Sequence, residues 1–319
     1  MVNNKVDYCF MEVSSHGLVL DRVSYLNFYI GVFSNLSQDH LDFHKTMENY
    51  YQAKKKLYYM VDKFSIINTD DKYGNRLYNE LKEDKVNVIS FGMNEDCDYK
   101  IVINDLSLEK SDFTLVNKDK EYRFETYSIG KFNIYNITPA IIIALLEGFS
   151  YEEIKNAIKK YHGTNGRVEK IHKDIFIDYA HTPDAMENVL KLVKEVSSKK
   201  ITLVFGCGGN RSAVRRSAMG RVSSELADLT IITQDNSRDE PFEQILADIL
   251  LGVTGDYVVI RDRKEAIGYC MSQMRPGDLL VLVGKGHEDT QEIAGKVEAF
   301  SERDIVESIE KTKKGKVSK

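Results

Sequence analysis

Five groups of residues in this sequence combine types that can do chemistry. The first comprises Glu12-Val-Ser-Ser-His16, Asn35-Leu-Ser-Gln-Asp-His-Leu-Asp-Phe-His44 and Ala53-Lys-Lys-Lys-Leu57. Its first two segments each follow an apolar, β-prone run, so their polar groups should fall at strand carboxyl ends, where open α/β sheets place ligands. A carboxylate and imidazoles delivered there can hold Mg²⁺ and a nucleotide phosphate. The plainer alternative has Asp39 and Asp42 capping a helix and His40 and His44 on the surface; clustering favours a site. The second group, Asp178-Tyr-Ala-His-Thr-Pro-Asp184, sets a strand end against a helix start. A helix amino end attracts phosphate or carboxylate, although a well-capped turn would use the same residues.

The third group is Val204-Phe-Gly-Cys-Gly-Gly-Asn-Arg211 with Arg215 and Arg216 just beyond. Glycines after a strand allow close backbone approach to a ligand, and arginines suit carboxylates or phosphates. Cys207 reads as a small packing residue, since no His or Asp nearby in sequence supports a nucleophile. The fourth and fifth groups, Asp235-Asn-Ser-Arg-Asp-Glu240 and Gly284-Lys-Gly-His-Glu-Asp289, offer an arginine for a carboxylate and acidic groups for an ammonium. A free amino acid requires that pairing. Either segment alone could be a charged loop.

These groups must be held by strands and helices, and the pattern supplies them. Apolar β-prone runs alternate with helical periodicity, the form of a βαβ architecture. Candidate strands are Val6–Val13, Ile30–Phe33, Phe64–Asn68, Ile175–Tyr179, Ile201–Phe205, Leu229–Thr233, Tyr257–Ile260 and Leu279–Val283. Between Val86 and Tyr127 the segments around Asn87 and Tyr122 look antiparallel and lack helices. Ser150-Tyr-Glu-Glu153 and Ser301-Glu-Arg-Asp304 have capping-box form, and Thr182 precedes a proline at a first helical position. The polar, glycine-rich Gly163-Thr-Asn-Gly-Arg167 is the expected linker, dividing the chain into residues 1–163 and 164–319.

With 319 residues, 42% hydrophobic, the chain can bury two cores. A net charge of −5 gives no reason to expect nucleic acid or an anionic membrane as partner. The basic run from Lys311 to Lys319 reads as a solvated tail. Four scattered cysteines, Cys9, Cys97, Cys207 and Cys270, have neither disulfide-framework nor zinc spacing. The polar opening Met-Val-Asn-Asn-Lys is unlike a signal peptide, no apolar run approaches a membrane span, and the cytoplasm is the expected compartment.

Taken in order, the segments Glu12–Leu18, Asn35–His44, Ala53–Leu57, Phe132–Asn136, Gly166–Glu169, Asp178–Asp184, Gly206–Met219, Asp235–Glu240, Asp262–Ile267 and Gly284–Asp289 resemble the Mur ligase family from end to end. Within it they resemble the ligases that add the third residue of the peptidoglycan stem peptide. Folylpolyglutamate synthase shares the architecture but lacks this combination of His-Thr-Pro and Gly-His-Glu.

The resemblance implies an α/β fold: part of a central ATPase domain followed by a Rossmann-like C-terminal domain. It also implies a reaction. ATP would phosphorylate the terminal carboxylate of a UDP-N-acetylmuramoyl dipeptide, and the amine of a diamino acid would attack the acyl phosphate, with Mg²⁺ and cations neutralising charge. Glu12, His40 and a carbamylated Lys54 would hold the metal and carry catalysis. A carbamate offers anionic oxygens where an ammonium would repel the ion. Ser14, Ser15 and Arg22 resemble contacts to the UDP-muramoyl peptide; Asn136, Arg167, Asp178 and His181 resemble nucleotide positions. Arg216, Asp235, Asn236, Arg238, Gly284 and Glu288 match the amino-acid pocket, and Arg238 suits the second carboxylate of meso-diaminopimelate. Ser217 and Ser237 stand where the pattern has proline, and Asn210 where it has aspartate.

The sequence contains no G-x-x-x-x-G-K-S/T phosphate loop. The expectation is therefore the later part of a ligase, inactive alone, whose N-terminal half comes from a longer gene or a separate chain. The alternative is a non-catalytic module that binds a diamino acid or nucleotide.

Overall fold

The computed structural model describes residues 6–317, with side chains to residue 312; the opening Met-Val-Asn-Asn-Lys and residues 318–319 lie outside the described residues. The chain forms two compact units. One comprises Met1–Asp105, Asp112–Glu125 and Lys131–Lys160; the other comprises Leu106–Ser111, Thr126–Gly130 and Tyr161–Lys319.

The first unit contains α1 (Ser15–Val19), β1 (Phe28–Phe33), α2 (Leu41–His44), α3 (Met47–Lys55), β2 (Val61–Asn68), α4 (Lys72–Glu83) and β3 (Val88–Gly92). It continues through β4 (Tyr99–Leu106), β5 (Ser111–Asn117), β6 (Lys120–Thr126), α5 (Lys131–Leu146) and α6 (Tyr151–Lys160). Its sheet runs in the order β1-β2-β3-β4-β5-β6. Phe33, Tyr51, Ile67, Leu77 and Leu81 form a core beneath α3 and α4. The two halves of a capping box close α6: Ser150 N–H donates to Glu153 at 2.9 Å, and Glu153 N–H donates to the Ser150 hydroxyl at 3.3 Å.

Two expectations are corrected here. The segment around Asn87 is not antiparallel: β3 pairs parallel with β2, Ser65 opposite Val88 through Asn68 opposite Phe91. Helix α4 makes that crossover, which a parallel pair requires. Between Val86 and Tyr127 only the turns at 107–110 and 118–119 are short enough for hairpins. Nor is Val6–Val13 a strand. It runs irregular and largely exposed up to α1, because none of the described strands takes it as a ladder partner.

The second unit contains β7 (Glu169–His172), β8 (Ile175–Asp178), α7 (Pro183–Val196), β9 (Ile201–Phe205), α8 (Ala213–Leu226) and β10 (Leu229–Ile232). It ends with α9 (Phe242–Leu250), β11 (Tyr257–Val259), α10 (Arg263–Gln273), β12 (Leu279–Val283), the hairpin β13 (Thr290–Ile293) and β14 (Lys296–Ala299), and α11 (Glu302–Val317). The sheet order is β11-β10-β9-β12-β8-β7. From β11 to β8 every pairing is parallel; β7 runs antiparallel to β8.

Helices cover both faces, which explains the unbroken apolar strands. On β12, Leu279, Val281 and Val283 join the core against α7, α8 and α9, while Leu280 and Leu282 join the core against α10 and α11. Two-residue periodicity alone sorts them. Thr182 caps α7, its hydroxyl accepting from Ala185 N–H at 3.2 Å with Pro183 at the first position. The basic run expected as a tail begins inside α11, which continues to Val317.

Candidate functional site

In the first unit, α1, α2 and α3 gather the first chemical group. Ser14 is the N-cap of α1, its hydroxyl accepting from Gly17 N–H at 3.0 Å. Ser15 is buried and pairs with His44 Nε2 at 2.8 Å. His16 touches the rings of His40, Phe43 and His44 at 5.0, 4.1 and 5.5 Å. Tyr50 stacks on His44 at 4.8 Å and also borders His40 at 6.0 Å. Burial first, then the neighbouring His16 and His40, push the His44 pKa down.

Lys54 places its ammonium 5.6 Å from the Tyr50 ring centre. Burial lowers its pKa, against the opposing pull of Glu12, so a neutral amine is more accessible than for a solvated lysine. His40 holds a left-handed backbone, φ 53°, which a non-glycine residue adopts at a cost and which recurs at functional positions. Glu12, His40 and Lys54 are thus neighbours of one small cluster. No three His, Cys, Asp or Glu side chains among the described residues could hold a metal ion. The half-buried Lys54 amine lies within the electrostatic reach of the Glu12 carboxylate. Arg22 is exposed on the turn after α1, and Asn136 is exposed on α5.

In the second unit, four adjacent strands, β10, β9, β12 and β8, release their chains at one edge. The segments that follow line a single cleft containing Tyr179, His181, Arg211, Asp235, Arg238 and Glu288. Gly206 has no room for a side chain: a Cβ there would lie 2.3 Å from the Thr233 carbonyl oxygen. Gly284, at φ +114°, would put a Cβ 2.6 Å from Asp235 Oδ2. These close approaches bring the loops after β9, β10 and β12 together. Asp235 is almost buried and accepts from Asn236 N–H at 2.6 Å. Arg238, also left-handed at φ 51°, donates to the Gly209 carbonyl at 2.7 Å and faces Glu292 at 3.7 Å.

Two expected contacts turn out to be built into the walls. Arg216 is 1% exposed. Its guanidinium binds Glu240 twice at 2.6 Å, Asp248 at 2.9 Å and the Gly208 carbonyl at 3.1 Å. It ties α8 to α9 and to the glycine turn through its two terminal nitrogens, while it still borders the cleft and its buried Nε has no hydrogen-bond partner among the described residues. Asp178 is 4% exposed, and its two oxygens accept from Val168 N–H at 2.7 Å and Ala180 N–H at 2.6 Å. Burial raises its pKa against those two bonds. It fastens the Gly166–Arg167 turn to β8, where Arg167 lies 5.6 Å over the Tyr179 ring. His181 is exposed, its Nδ1 2.9 Å from the Tyr179 carbonyl.

Sequence patterns did not single out Lys285, Arg263 or Glu302. Arg263 and Glu302 form a buried pair at 2.8 Å, with Arg263 also donating to the Val283 carbonyl at 2.7 Å. The only signal was their place in or beside quoted segments. The departures are accommodated locally. Ser237 donates its backbone N–H to the Asp235 carbonyl at 2.8 Å, a bond proline cannot make. Asn210, at φ 57°, donates its backbone N–H to Glu240 at 2.8 Å. Cys207 packs 3.7 Å from the Met219 sulfur, and burial pushes its thiol up to about 12, so it is an inert packing residue.

Residues 1–144 match the Mur ligase middle domain, and residues 166–286 match the glutamate ligase domain of Mur ligases. The chain carries the middle and C-terminal domains of the Mur ligase family. A UDP-N-acetylmuramoyl-L-alanyl-D-glutamate–2,6-diaminopimelate ligase of Clostridium acetobutylicum is 42% identical over 313 residues, covering 96% of this chain and 64% of the relative. The ligase of that name in Aquifex aeolicus is 43% identical over 304 residues, 93% of this chain and 62% of the relative. A solved structure of a UDP-N-acetylmuramoyl-L-alanyl-D-glutamate–2,6-diaminopimelate ligase superposes with a TM-score of 0.70 at 35% identity, over 95% of this chain and 64% of that one. The chain thus spans just under two thirds of the length of these Mur ligases. A MurF ligase from Thermotoga maritima in complex with ADP shares the fold, with a TM-score of 0.60 at 16% identity over 84% of this chain. No helix among the described residues is long and apolar enough to cross a membrane.

Proposed function

We propose that this chain serves the ATP-dependent ligation of meso-diaminopimelate to UDP-N-acetylmuramoyl-L-alanyl-D-glutamate in cytoplasmic peptidoglycan synthesis, and so in cell shape and division. The observation that carries the substrate is the cleft of the second unit. One wall presents Arg238, a cation for a carboxylate; another presents Glu288 and Asp235, anions for an ammonium. A diamino acid with two carboxylates needs both kinds of group in fixed positions, and a site that pairs each rejects the analogue lacking one. The names carried by the relatives agree with this reading.

In the first unit, Glu12, His40 and a Lys54 carbamate would hold Mg²⁺, which supplies charge neutralisation for phosphoryl transfer from ATP. Ser14 and Arg22 are proposed to meet the UDP-muramoyl peptide, with Ser15 acting through His44. In the second unit Arg167 and His181 are proposed for the nucleotide, with Asp178 shaping the turn that carries Arg167. Arg216 acts by holding the glycine turn under the amino acid.

A second reading is binding of a diamino acid without turnover, for which the paired charges of the cleft suffice. Calorimetric titration with meso-diaminopimelate and L-lysine separates substrate from non-substrate. The expected result is preference for meso-diaminopimelate, lost in Arg238→Ala; equal affinity for both ligands in the unsubstituted chain would sink the proposed specificity. ADP release with Mg-ATP and both substrates, with and without a polypeptide supplying a phosphate loop, then distinguishes ligase from binding module.

A further inference from the structure

Lys285 is fully buried, yet it sits on the turn that forms the floor of the cleft, between Gly284 and Gly286. Its ammonium donates to Asn236 Oδ1 at 2.8 Å, to Glu288 Oε2 at 2.9 Å and to the Thr290 carbonyl. All three of its hydrogens are therefore committed, which is what a buried lysine requires. Its two side-chain partners come from different loops, the one after β10 and the one after β12.

The consequences for those partners are specific. Asn236 Oδ1 accepts from Lys285 and also from Glu292 N–H at 3.0 Å. The oxygen end of the amide is thereby fixed, and Nδ2 must point the other way, where it donates to Glu288 Oε2 at 3.1 Å. Glu288 Oε2 is thus occupied twice. Among the described residues Oε1 has only the distant Tyr179 hydroxyl at 3.5 Å, and the Glu288 side chain stays 29% exposed. The arrangement turns one carboxylate oxygen inward and presents the other to a ligand.

We propose that Lys285 is a positioning residue for the amino-acid subsite, holding the Glu288 carboxylate and the Asn236 amide each in one orientation so that Glu288 Oε1 receives the ammonium of the incoming amino acid. The proposal rests on the amino-acid-binding role given to this cleft above. Burial by itself would raise the pKa of Glu288; the ammonium of Lys285, with Asn236 and Tyr179, outweighs it and holds the carboxyl below the ordinary glutamate range. A carboxylate kept charged in a half-buried wall binds an ammonium across the whole neutral and mildly acid range.

The test is calorimetric titration of meso-diaminopimelate into the whole chain and into Lys285→Met, between pH 4.5 and 8. The variant keeps the bulk of the stem and removes the charge. Affinity should fall tenfold or more at pH 7, and the acid limb of its pH profile should move to higher pH than in the unsubstituted chain. The titratable and charged groups of the lining, Tyr179, His181, Cys207, Arg211, Arg215, Arg216, Asp235 and Arg238, are the same in both proteins, as are His287 beside Tyr179 and the buried Glu302, which also feels Lys285. Unchanged affinity overturns the proposal, and so does weakened affinity with an unmoved profile, which is what simple loosening of the turn would give. If the unsubstituted chain binds no diamino acid, the role of the cleft fails first. The carbon-13 titration of the Glu288 carboxylate in the ligand-free chain then decides Lys285 separately, and also where Lys285→Met does not fold. A midpoint below the ordinary 4.5 supports the proposal, and one at or above it refutes it.

Discussion

Arg216→Met should unfold the second unit more readily, and the size of the effect follows from what the guanidinium touches. It makes three charge-assisted bonds of 2.6, 2.6 and 2.9 Å to Glu240 and Asp248 from a position 1% exposed. Removing one partner of a buried ion pair costs about 3–5 kcal/mol, because the remaining charges lose their counter-ion without regaining water. Glu240 and Asp248 retain 20% and 14% side-chain exposure, so water offsets part of this and about 3 kcal/mol is expected. For a unit of this size that lowers Tm by roughly 6–12 °C. The loss should also depend on pH. The Arg216 hydrogen bond, partly opposed by burial, holds Glu240 below its ordinary 4.5. A depressed carboxyl pKa stabilises the fold above the unfolded value, and that contribution is lost as pH falls through the folded one. The gap between Arg216→Met and the unsubstituted chain should therefore be full at pH 7 and shrink below about pH 4.5. Thermal unfolding followed by circular dichroism across that range is the assay. A variant that melts within about 2 °C of the parent at pH 7, while losing affinity for the diamino acid, would make Arg216 a ligand contact and refute the structural role.

Three further outcomes are expected. His44 has a pKa lowered by burial and by His16 and His40, so its contribution is full above the unfolded value near 6.5 and is lost as pH falls below it; His44→Gln should flatten Tm between about pH 7.5 and 5.5. Asp178→Asn leaves one acceptor oxygen for two backbone amides, Val168 and Ala180, and should cost about 1–3 kcal/mol in urea unfolding, with no loss expected if solvent already served one of them. Thr182→Ala removes the cap of α7 and should cost about 1 kcal/mol in the same assay.

The second unit was legible because its signals are local and agree with one another. The strands Ile201–Phe205 and Leu279–Val283 are short apolar runs, and Thr182, Pro183 and Ser301 punctuate helix starts by chemistry confined to four residues. Where signals were not local, reading failed. Val6–Val13 has strand composition, but a strand exists only where a neighbour completes its hydrogen bonds, and none of the described strands does so. The segment around Asn87 carries the same alternation whether it pairs parallel or antiparallel; the helix Lys72–Glu83 decided for parallel.

The candidate site divides along the same line. Sequence by itself determined which residues arrive at the strand ends, because strand, turn and helix boundaries are written in residues a few positions apart. It therefore placed Arg238, Asp235 and Glu288 at one edge of the second sheet. Only the tertiary structure decided which charges face the cleft and which face one another. Arg216 and Arg238 both follow a sheet strand and both border the cleft, yet Arg216 is buried and spent on Glu240 and Asp248, while Arg238 keeps 31% side-chain exposure. Lys285, between two glycines, reads as a loop lysine and proves to be buried under the pocket. These pairings draw on Glu240, Asp248 and Asn236, which lie 24, 32 and 49 positions from their partners; packing brings them close, and no periodicity along the chain records them.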